Sequence, residues 1–219
     1  MPFRNRAEAG RRLAEALAAY KDRRPVVLAL PRGGAPVAAE IAAALDAPLD
    51  LVLVRKIGAP GQPELAMGAV VDGAPPIVAR NEDVIEALGV SERQFAAACA
   101  RELEEIARRR RRFLGDRRRA EVAGRAAIVV DDGVATGATA RAALRAIRAR
   151  APGSLILAVP VAARDTIEAL SDEADAIVCL SAPASFGAVG FFYDDFRQIE
   201  DEEVAAILAR FPDGADPRD

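Results

Sequence analysis

Two adjacent carboxylates followed by a loop rich in glycine and threonine are the residues of this chain best suited to chemistry. Asp131 and Asp132 directly follow an apolar, β-branched run at residues 128–130, which predicts that they end a buried strand. Residues 133–139 then form the loop, and a helical pattern begins at about residue 140. Backbone N–H groups and hydroxyls at a helix N-terminus bind phosphate, and carboxylate oxygens suit sugar hydroxyls or magnesium. The stretch therefore predicts a site for a phosphorylated sugar.

A second loop suited to an anion follows a short buried strand at residues 26–30. Arg32 supplies a positive charge there, and Gly33 and Gly34 allow a ligand to approach the backbone closely. The pattern predicts a second anion-binding loop, with an ordinary tight turn as the alternative.

A third cationic feature follows the strand predicted over residues 49–54. Arg55 and Lys56 stand at its end, where two positive charges favour an anionic partner. A solvated strand end is the alternative. Residues 58–63 are rich in glycine and proline, which predicts a mobile loop of the kind that closes over a substrate.

The elements that must position these residues alternate between short apolar strands and amphipathic helices. This order predicts an α/β fold, with a Rossmann-like, mostly parallel and twisted sheet flanked by helices. Ligands bind such sheets at the carboxyl ends of the strands, where the three features would meet. The predicted strands are residues 26–30, 49–54, 67–71, 76–79, 128–130, 155–161 and 176–180. The predicted helices are residues 4–20, 36–45, 140–150 and 165–170.

Residues 81–119 interrupt the alternation and are predicted to be a helical insertion. Ser91 and Gln94 form a capping-box pattern, which predicts a long helix to about residue 114. Its apolar face, interrupted at Arg110, would pack on the core or against a second subunit. The predicted face comprises Phe95, Cys99, Leu103, Ile106 and Phe113.

A run of five arginines, residues 108–112, ends this helix. A solvated helix end favoured by the helix dipole is one interpretation. Contact with RNA or polyphosphate and a salt-bridge network between subunits are the others.

Aromatic residues concentrate near the C-terminus. They form either a stacking platform for a planar ring or a hydrophobic cluster that anchors the C-terminal segment. Residues 181–211 are predicted to form a hood-like segment, Asp201 to cap a last helix, and residues 212–219 to form a flexible tail. The aromatic residues are Phe186, Phe191, Phe192, Tyr193 and Phe196.

Composition narrows the possible functions. The 219 residues are 52% hydrophobic, which is enough for a sizeable core, and the net charge of −3 counts against a dedicated nucleic-acid binder. The chain contains no histidine, so catalysis by Ser-His-Asp or Cys-His groups is excluded. Cys99 and Cys179 have no metal-type or redox-type spacing, which predicts reduced thiols. The N-terminus lacks an apolar leader and no segment has membrane-spanning length, so a cytoplasmic protein without membrane contact is expected.

Residues 129–139 resemble the phosphoribosyl-pyrophosphate motif of type I phosphoribosyltransferases, because paired acids precede a Thr-Gly-x-Thr loop. Residues 31–34 resemble the pyrophosphate loop of that fold, and residues 54–56 with the following breaker-rich stretch resemble its flexible loop. The C-terminal part is similar to stand-alone family members of undefined acceptor. The resemblance implies a single domain over residues 1–219 and, as in many members, a homodimer. It also implies Mg²⁺-dependent transfer of phosphoribosyl from 5-phosphoribosyl 1-pyrophosphate (PRPP) to a nitrogenous base or amine, with release of pyrophosphate.

The resemblance also implies roles for individual residues. Asp131 and Asp132 would hold the ribose hydroxyls, and Mg²⁺ directly or through those hydroxyls or water. Arg55 and Lys56 would join them in catalysis by binding pyrophosphate. Ala135 stands where 6-oxopurine enzymes carry a third carboxylate, which argues against hypoxanthine or guanine as acceptor. The implied 5′-phosphate loop comprises Gly133, Val134, Ala135, Thr136, Gly137, Ala138 and Thr139, and the pyrophosphate loop comprises Arg32, Gly33 and Gly34. The candidate acceptor-binding residues are Phe186, Phe191 and Tyr193.

Two other functions fit the same residues. A regulatory protein could sense PRPP or a nucleotide at this site and bind RNA through the arginine run, although the acidic net charge makes nucleic acid an unfavoured partner. A hydrolase could use water in place of the acceptor.

Overall fold

The computed structural model describes residues 2–73 and 75–212. Five parallel strands form the main sheet in the order β2-β1-β6-β7-β8, so β6 lies at its centre. These strands are β1 (Val26–Ala29), β2 (Leu49–Leu51), β6 (Ala126–Val130), β7 (Ser154–Val161) and β8 (Ala176–Ser181). The α-helices are α1 (Arg6–Ala16), α2 (Gly34–Leu45), α3 (Glu82–Ala87), α4 (Glu92–Leu114), α5 (Ala138–Arg148), α6 (Arg164–Leu170) and α7 (Asp201–Leu208). The α/β fold with a mostly parallel, helix-flanked sheet is confirmed.

Both faces of the main sheet are buried, which explains why its strands are apolar without alternation. In β6, Ile128 and Val130 face the side covered by α1, α2, α4 and α7. Ala127 and Val129 face the other side, where Leu144 of α5 packs. The acid pair that follows β6 is therefore carried by a fully buried strand.

The strand predicted over residues 49–54 is divided between two sheets, which corrects the prediction. β2 ends at Leu51, and the chain then enters a separate antiparallel sheet of order β3-β4-β5. Val52 and Leu53, which link the two sheets along the chain, remain buried, so the apolar run continues although the parallel strand does not. The antiparallel strands are β3 (Val54–Ala59), β4 (Gln62–Val71) and β5 (Ile77–Arg80).

This division also changes the predicted loop at residues 58–63. It is the tip of the β3–β4 hairpin, where Gly61 takes a left-handed conformation with φ of +74°. Positive φ costs a non-glycine residue energy, so the glycine suits the tight turn. The hairpin sheet packs beside α5, the helix that begins at the predicted phosphate loop.

The long helix predicted after Ser91 is confirmed. Its Ser91–Gln94 capping box is formed, and four of the five residues predicted for the apolar face are buried, with Leu103 half-buried. α4 packs against α7 and the antiparallel strands β3 and β4 of the same chain. The predicted packing on the core is therefore present.

The arginine run makes salt bridges within the chain. Arg110 donates to Asp72, whose side chain is only 6% exposed, at 2.8 Å. Arg112 contacts Asp201 at 3.0 Å and Glu202 at 2.7 Å on α7. Arg108 and Arg109 both pair with Glu105. Together with Arg110 and Arg112, four of the five arginines therefore have carboxylate partners. These contacts tie α4 to the hairpin sheet and to α7.

Several predicted element ends shift in the structure. α1 ends at Ala16, where a 3-10 helix over Ala18–Arg23 follows instead of continued α-helix. α7 is capped by Glu200, one residue before the predicted Asp201, because Glu200 forms a capping box with Glu203. The predicted tail lies almost wholly outside the described residues. None of the helices within residues 2–73 and 75–212 is long and apolar enough to cross a membrane.

Candidate functional site

The acid pair stands at the carboxyl end of the central strand. The Asp131 carboxylate accepts a hydrogen bond from the backbone N–H of Asp132 at 2.9 Å. Desolvation, and secondarily the neighbouring Asp132 charge, raises the pKa of Asp131 well above its usual range. Such a shift costs stability at neutral pH, which is typical of groups retained for binding or chemistry.

The loop after the acid pair lines an open cavity of about 170 Å³ together with Asp131 and Val189. Gly137 ends the loop in a left-handed conformation with φ of +77° and precedes α5 directly. The first turn of a helix leaves backbone N–H groups without intrahelical partners, and that of α5 lines this cavity. The place predicted for phosphate is thus a small cavity at a helix N-terminus.

Two neighbouring elements hold this loop in place. The backbone N–H of Val134 donates to the carbonyl of Val161 at the end of β7 at 2.9 Å. The Thr166 hydroxyl of α6 donates to the carbonyl of Ala135 at 2.5 Å. No sequence pattern pointed to Thr166, because its role depends on where α6 lies in space.

The predicted pyrophosphate loop lies against the acid pair. A Cβ atom added at Gly33 would lie 2.0 Å from Oδ2 of Asp132, and one at Gly34 would lie 2.6 Å from the carbonyl oxygen of Val130. Both positions therefore require glycine for close approach to the end of β6. The Pro31–Arg32 peptide bond is cis. The Arg32 guanidinium is half-exposed and lies 3.6 Å from the carboxylate of Asp201.

The two cations predicted to follow a parallel strand belong instead to the antiparallel strand β3. Arg55 forms a salt bridge of 2.8 Å with Glu102 of α4, so it is directed at the helical segment. Lys56 is exposed on the same strand, opposite Ala69 of β4. Their predicted position at a strand end of the main sheet was wrong, because the chain changes sheets before reaching them.

Of the five aromatic residues near the C-terminus, Phe191 and Phe196 are exposed, and the other three are wholly or partly buried. Phe186 and Phe192 stack with ring centroids 5.3 Å apart, whereas Phe191 is 78% exposed. Tyr193 is buried against Phe3 and is therefore not an open stacking face for an acceptor. Its hydroxyl instead donates to the backbone carbonyl of Asp132 at 2.6 Å.

Arg6 is a residue of the site that the sequence did not indicate. Its Nε donates to Oδ2 of Asp132 at 2.7 Å, across 126 positions of sequence. Arginine is common in this chain, and no spacing rule distinguishes Arg6 from the arginines around it.

The donor set suits magnesium bound together with a substrate. Within residues 2–73 and 75–212, no three or more Cys, Asp or Glu side chains form a group that could hold a metal alone. Mg²⁺ is usually bound by one or two carboxylates together with substrate phosphates and water. Asp131 and Asp132 supply such a pair beside two candidate anion loops, so they fit this mode of binding.

The mostly parallel sheet flanked by helices is that of the type I phosphoribosyltransferase fold. The sequence model of the phosphoribosyl transferase domain matches residues 3–195. The chain therefore belongs to the phosphoribosyl transferase family, a family of transferase enzymes.

Individual relatives agree with this assignment. Proteins from two strains of Mycobacterium tuberculosis, provisionally named phosphoribosyl transferases, are 45% identical over 208 residues, or 95% of this chain. The chain spans about half of their length, because the match covers 46% of each. The crystal structure of TT1426 from Thermus thermophilus is 42% identical, with a TM-score of 0.84 over 96% of this chain and 99% of that one.

Proposed function

We propose that this protein transfers the phosphoribosyl group of PRPP to a nitrogenous acceptor and releases pyrophosphate, with Mg²⁺ as cofactor. The observation that carries the proposal is the meeting of two anion-type loops at one acid pair. The phosphate-type loop and Asp131 line the same cavity, and Gly33 of the other loop lies against Asp132. A ligand with phosphate at one end and pyrophosphate at the other needs both loops, whereas a sugar monophosphate needs only one.

Each group in the proposed site has a role that needs no histidine. Asp131 and Asp132 would accept hydrogen bonds from the ribose hydroxyls, and residues 133–139 would bind the 5′-phosphate. Displacement of pyrophosphate leaves positive charge on the sugar and negative charge on the leaving group. Arg32, with Arg55 and Lys56 of the β3–β4 hairpin, would stabilise the leaving group. Magnesium held by the acid pair and the substrate would add charge stabilisation when bound.

Binding of pyrophosphate by these cations would require them to exchange partners. Arg55 now pairs with Glu102, and Arg32 lies near Asp201. Exposed and half-exposed salt bridges contribute little stability, so a pyrophosphate group carrying several charges can replace those carboxylates at low cost. The hairpin that carries Arg55 and Lys56 would then move toward the acid pair.

The acceptor would bind beneath the C-terminal segment, residues 181–211, which we propose acts as a hood. Phe186 and Phe191 are the candidates for stacking on a planar acceptor, and Phe191 has most of its ring exposed. The side chain of Ala135 carries no group able to hydrogen-bond a 6-oxopurine, which favours other bases or amines. We further propose that residues 81–119 form an insertion in a single domain, and that the protein is a cytoplasmic homodimer.

Release of pyrophosphate from PRPP across a panel of bases and amines tests the proposal. We expect release that depends on both Mg²⁺ and one class of acceptor, and that is lost in Asp132→Asn but retained in Arg11→Met, a change on the exposed side of α1. Release without any acceptor would identify a hydrolase. Binding of PRPP with no release for any acceptor would contradict the transferase proposal.

A further inference from the structure

Asp132 is held by residues from opposite ends of the chain. Arg6, in the first turn of α1, donates to its carboxylate, and Tyr193 donates to its backbone carbonyl. The Arg6 and Asp132 side chains are only 9% and 14% exposed, so water competes little with their ion pair. Charge-assisted hydrogen bonds of this length are strong and directional, and the Asp132 carboxylate therefore has a defined orientation.

Arg6 is itself fixed by contacts on other sides. Its Nη1 donates to the backbone carbonyl of Arg197 at 2.8 Å. Its guanidinium lies 3.9 Å from the centroid of the Phe196 ring, within range of a cation–π interaction. A guanidinium held in this way cannot rotate as a solvated side chain does, so it can set the position of its carboxylate partner.

The acid pair needs such a group for a physical reason. Asp131 and Asp132 are neighbours in sequence, and two carboxylates in poorly solvated surroundings repel each other. A positive charge 2.7 Å from Oδ2 of Asp132 offsets this repulsion. The hydrogen bond from Arg6 goes to Oδ2, so in the proposed arrangement Oδ1 is the oxygen that accepts a hydrogen bond from a ligand.

We propose that Arg6 is a positioning residue for the sugar donor. It fixes Asp132 so that the second carboxylate oxygen accepts a ribose hydroxyl, and it links the N-terminal segment to the ribose site. This inference rests on the proposed function, because it assumes that the acid pair binds ribose.

Calorimetric titration with two sugar phosphates tests the inference without requiring catalysis. Ribose 5-phosphate carries the hydroxyls that the acid pair would bind, and 2,3-dideoxyribose 5-phosphate lacks them. A hydrogen bond to an ionised group contributes roughly tenfold or more to binding. We therefore expect Arg6→Met to reduce the preference of the wild-type protein for ribose 5-phosphate by about tenfold, with little change for the dideoxy compound.

Matched variants separate positioning from general stability. Arg11→Met removes another arginine of α1, one that pairs with Glu40 at 3.4 Å, and should leave the preference unchanged. Arg6→Lys keeps the positive charge but lacks the planar guanidinium, so it should restore part of the preference for ribose 5-phosphate. If Arg6→Met does not fold, Arg6→Lys takes its place in the comparison with wild type. In the Asp132→Asn protein, replacement of Arg6 should have no further effect on the preference.

The outcomes are distinguishable. If wild type prefers ribose 5-phosphate and Arg6→Met and Arg6→Lys retain that preference, the positioning role is refuted while the proposed function stands. Equal weakening of both ligands would mean that Arg6 is only structural, which also refutes it. If wild type binds neither ribose 5-phosphate nor PRPP, the proposed function fails and this inference fails with it.

Discussion

Replacement of Gly33 by alanine would place a methyl group against the Asp132 carboxylate and so disturb the proposed donor site. The added Cβ would lie 2.0 Å from Oδ2 and 2.4 Å from Cγ of Asp132, whereas ordinary van der Waals contact begins at 3.4 Å. The separation from Oδ2 must therefore increase by 1.4 Å, the difference between 3.4 and 2.0 Å. The carboxylate cannot yield freely, because Arg6 holds the same oxygen at 2.7 Å.

This displacement sets the expected size of the effect. A misplacement of about 1 Å in a positioned group can cost roughly 100-fold in activity, which corresponds to about 2.7 kcal/mol. Overpacking costs about 1–3 kcal/mol of folding stability, and about 2–4 °C in Tm for each kcal/mol in a chain of this size. We therefore expect Gly33→Ala to remain folded and to bind PRPP roughly 100-fold more weakly.

Isothermal titration with PRPP and Mg²⁺, alongside thermal unfolding, measures both quantities. Gly89→Ala is the matched control, because Gly89 has a φ of +61° and no atom within 4 Å of an added Cβ. That variant should lose stability by about 1–2 kcal/mol through backbone strain and bind PRPP normally. Unchanged PRPP affinity in Gly33→Ala would refute the placement of this loop against the donor.

Three further changes have defined outcomes. Asp72→Asn removes the buried carboxylate shared by two arginines and should lower the free energy of unfolding by about 3–5 kcal/mol, measured by urea denaturation. Asp131→Asn should abolish donor binding and yet be more stable than wild type at pH 7. Because folding raises the pKa of Asp131, the contribution of this group to wild-type stability falls as pH rises above about 3.8, so denaturation at pH 3 should remove the difference between the two proteins. Thr166→Val removes the donor to Ala135 and should weaken inorganic phosphate binding several-fold, with about 1 kcal/mol less stability.

Local patterns carried much of the information that the sequence supplies about the fold. The apolar run of β6 and the loop after it are contiguous, so one stretch defines the strand, the acid pair and the helix start. The capping box at Ser91 and Gln94 is equally local, and it predicted the start of α4. Such features depend on hydrogen bonds between neighbouring residues, which a linear pattern records.

Contacts between distant segments explain what the sequence did not reveal. Val52 and Leu53 are buried where the chain changes sheets, and their apolar pattern is the same as that of a continuing strand. Arg55 was consequently assigned to the wrong kind of strand. The sequence did not reveal the role of Asp72, because the arginines that bind it come from α4 and from the segment after it.

The residues that contact Asp132 likewise could not be identified from the sequence. Arg6 lies far from the acid pair in sequence, and Tyr193 was only one of the candidates for stacking on an acceptor. Both residues contact Asp132 only because the two ends of the chain meet in the fold, where Phe3 pairs with Tyr193. Aromatic composition predicted a cluster or a platform, but burial of Tyr193 follows from this tertiary contact.

Equilibrium binding of PRPP in the presence of Mg²⁺ tests the central claim most directly, namely that the acid pair and the two loops form one donor site. We predict saturable binding at one site per chain, with competition by both ribose 5-phosphate and pyrophosphate, and loss of binding in Asp132→Asn. Failure of PRPP to bind, or binding that survives Asp132→Asn unchanged, would contradict the claim.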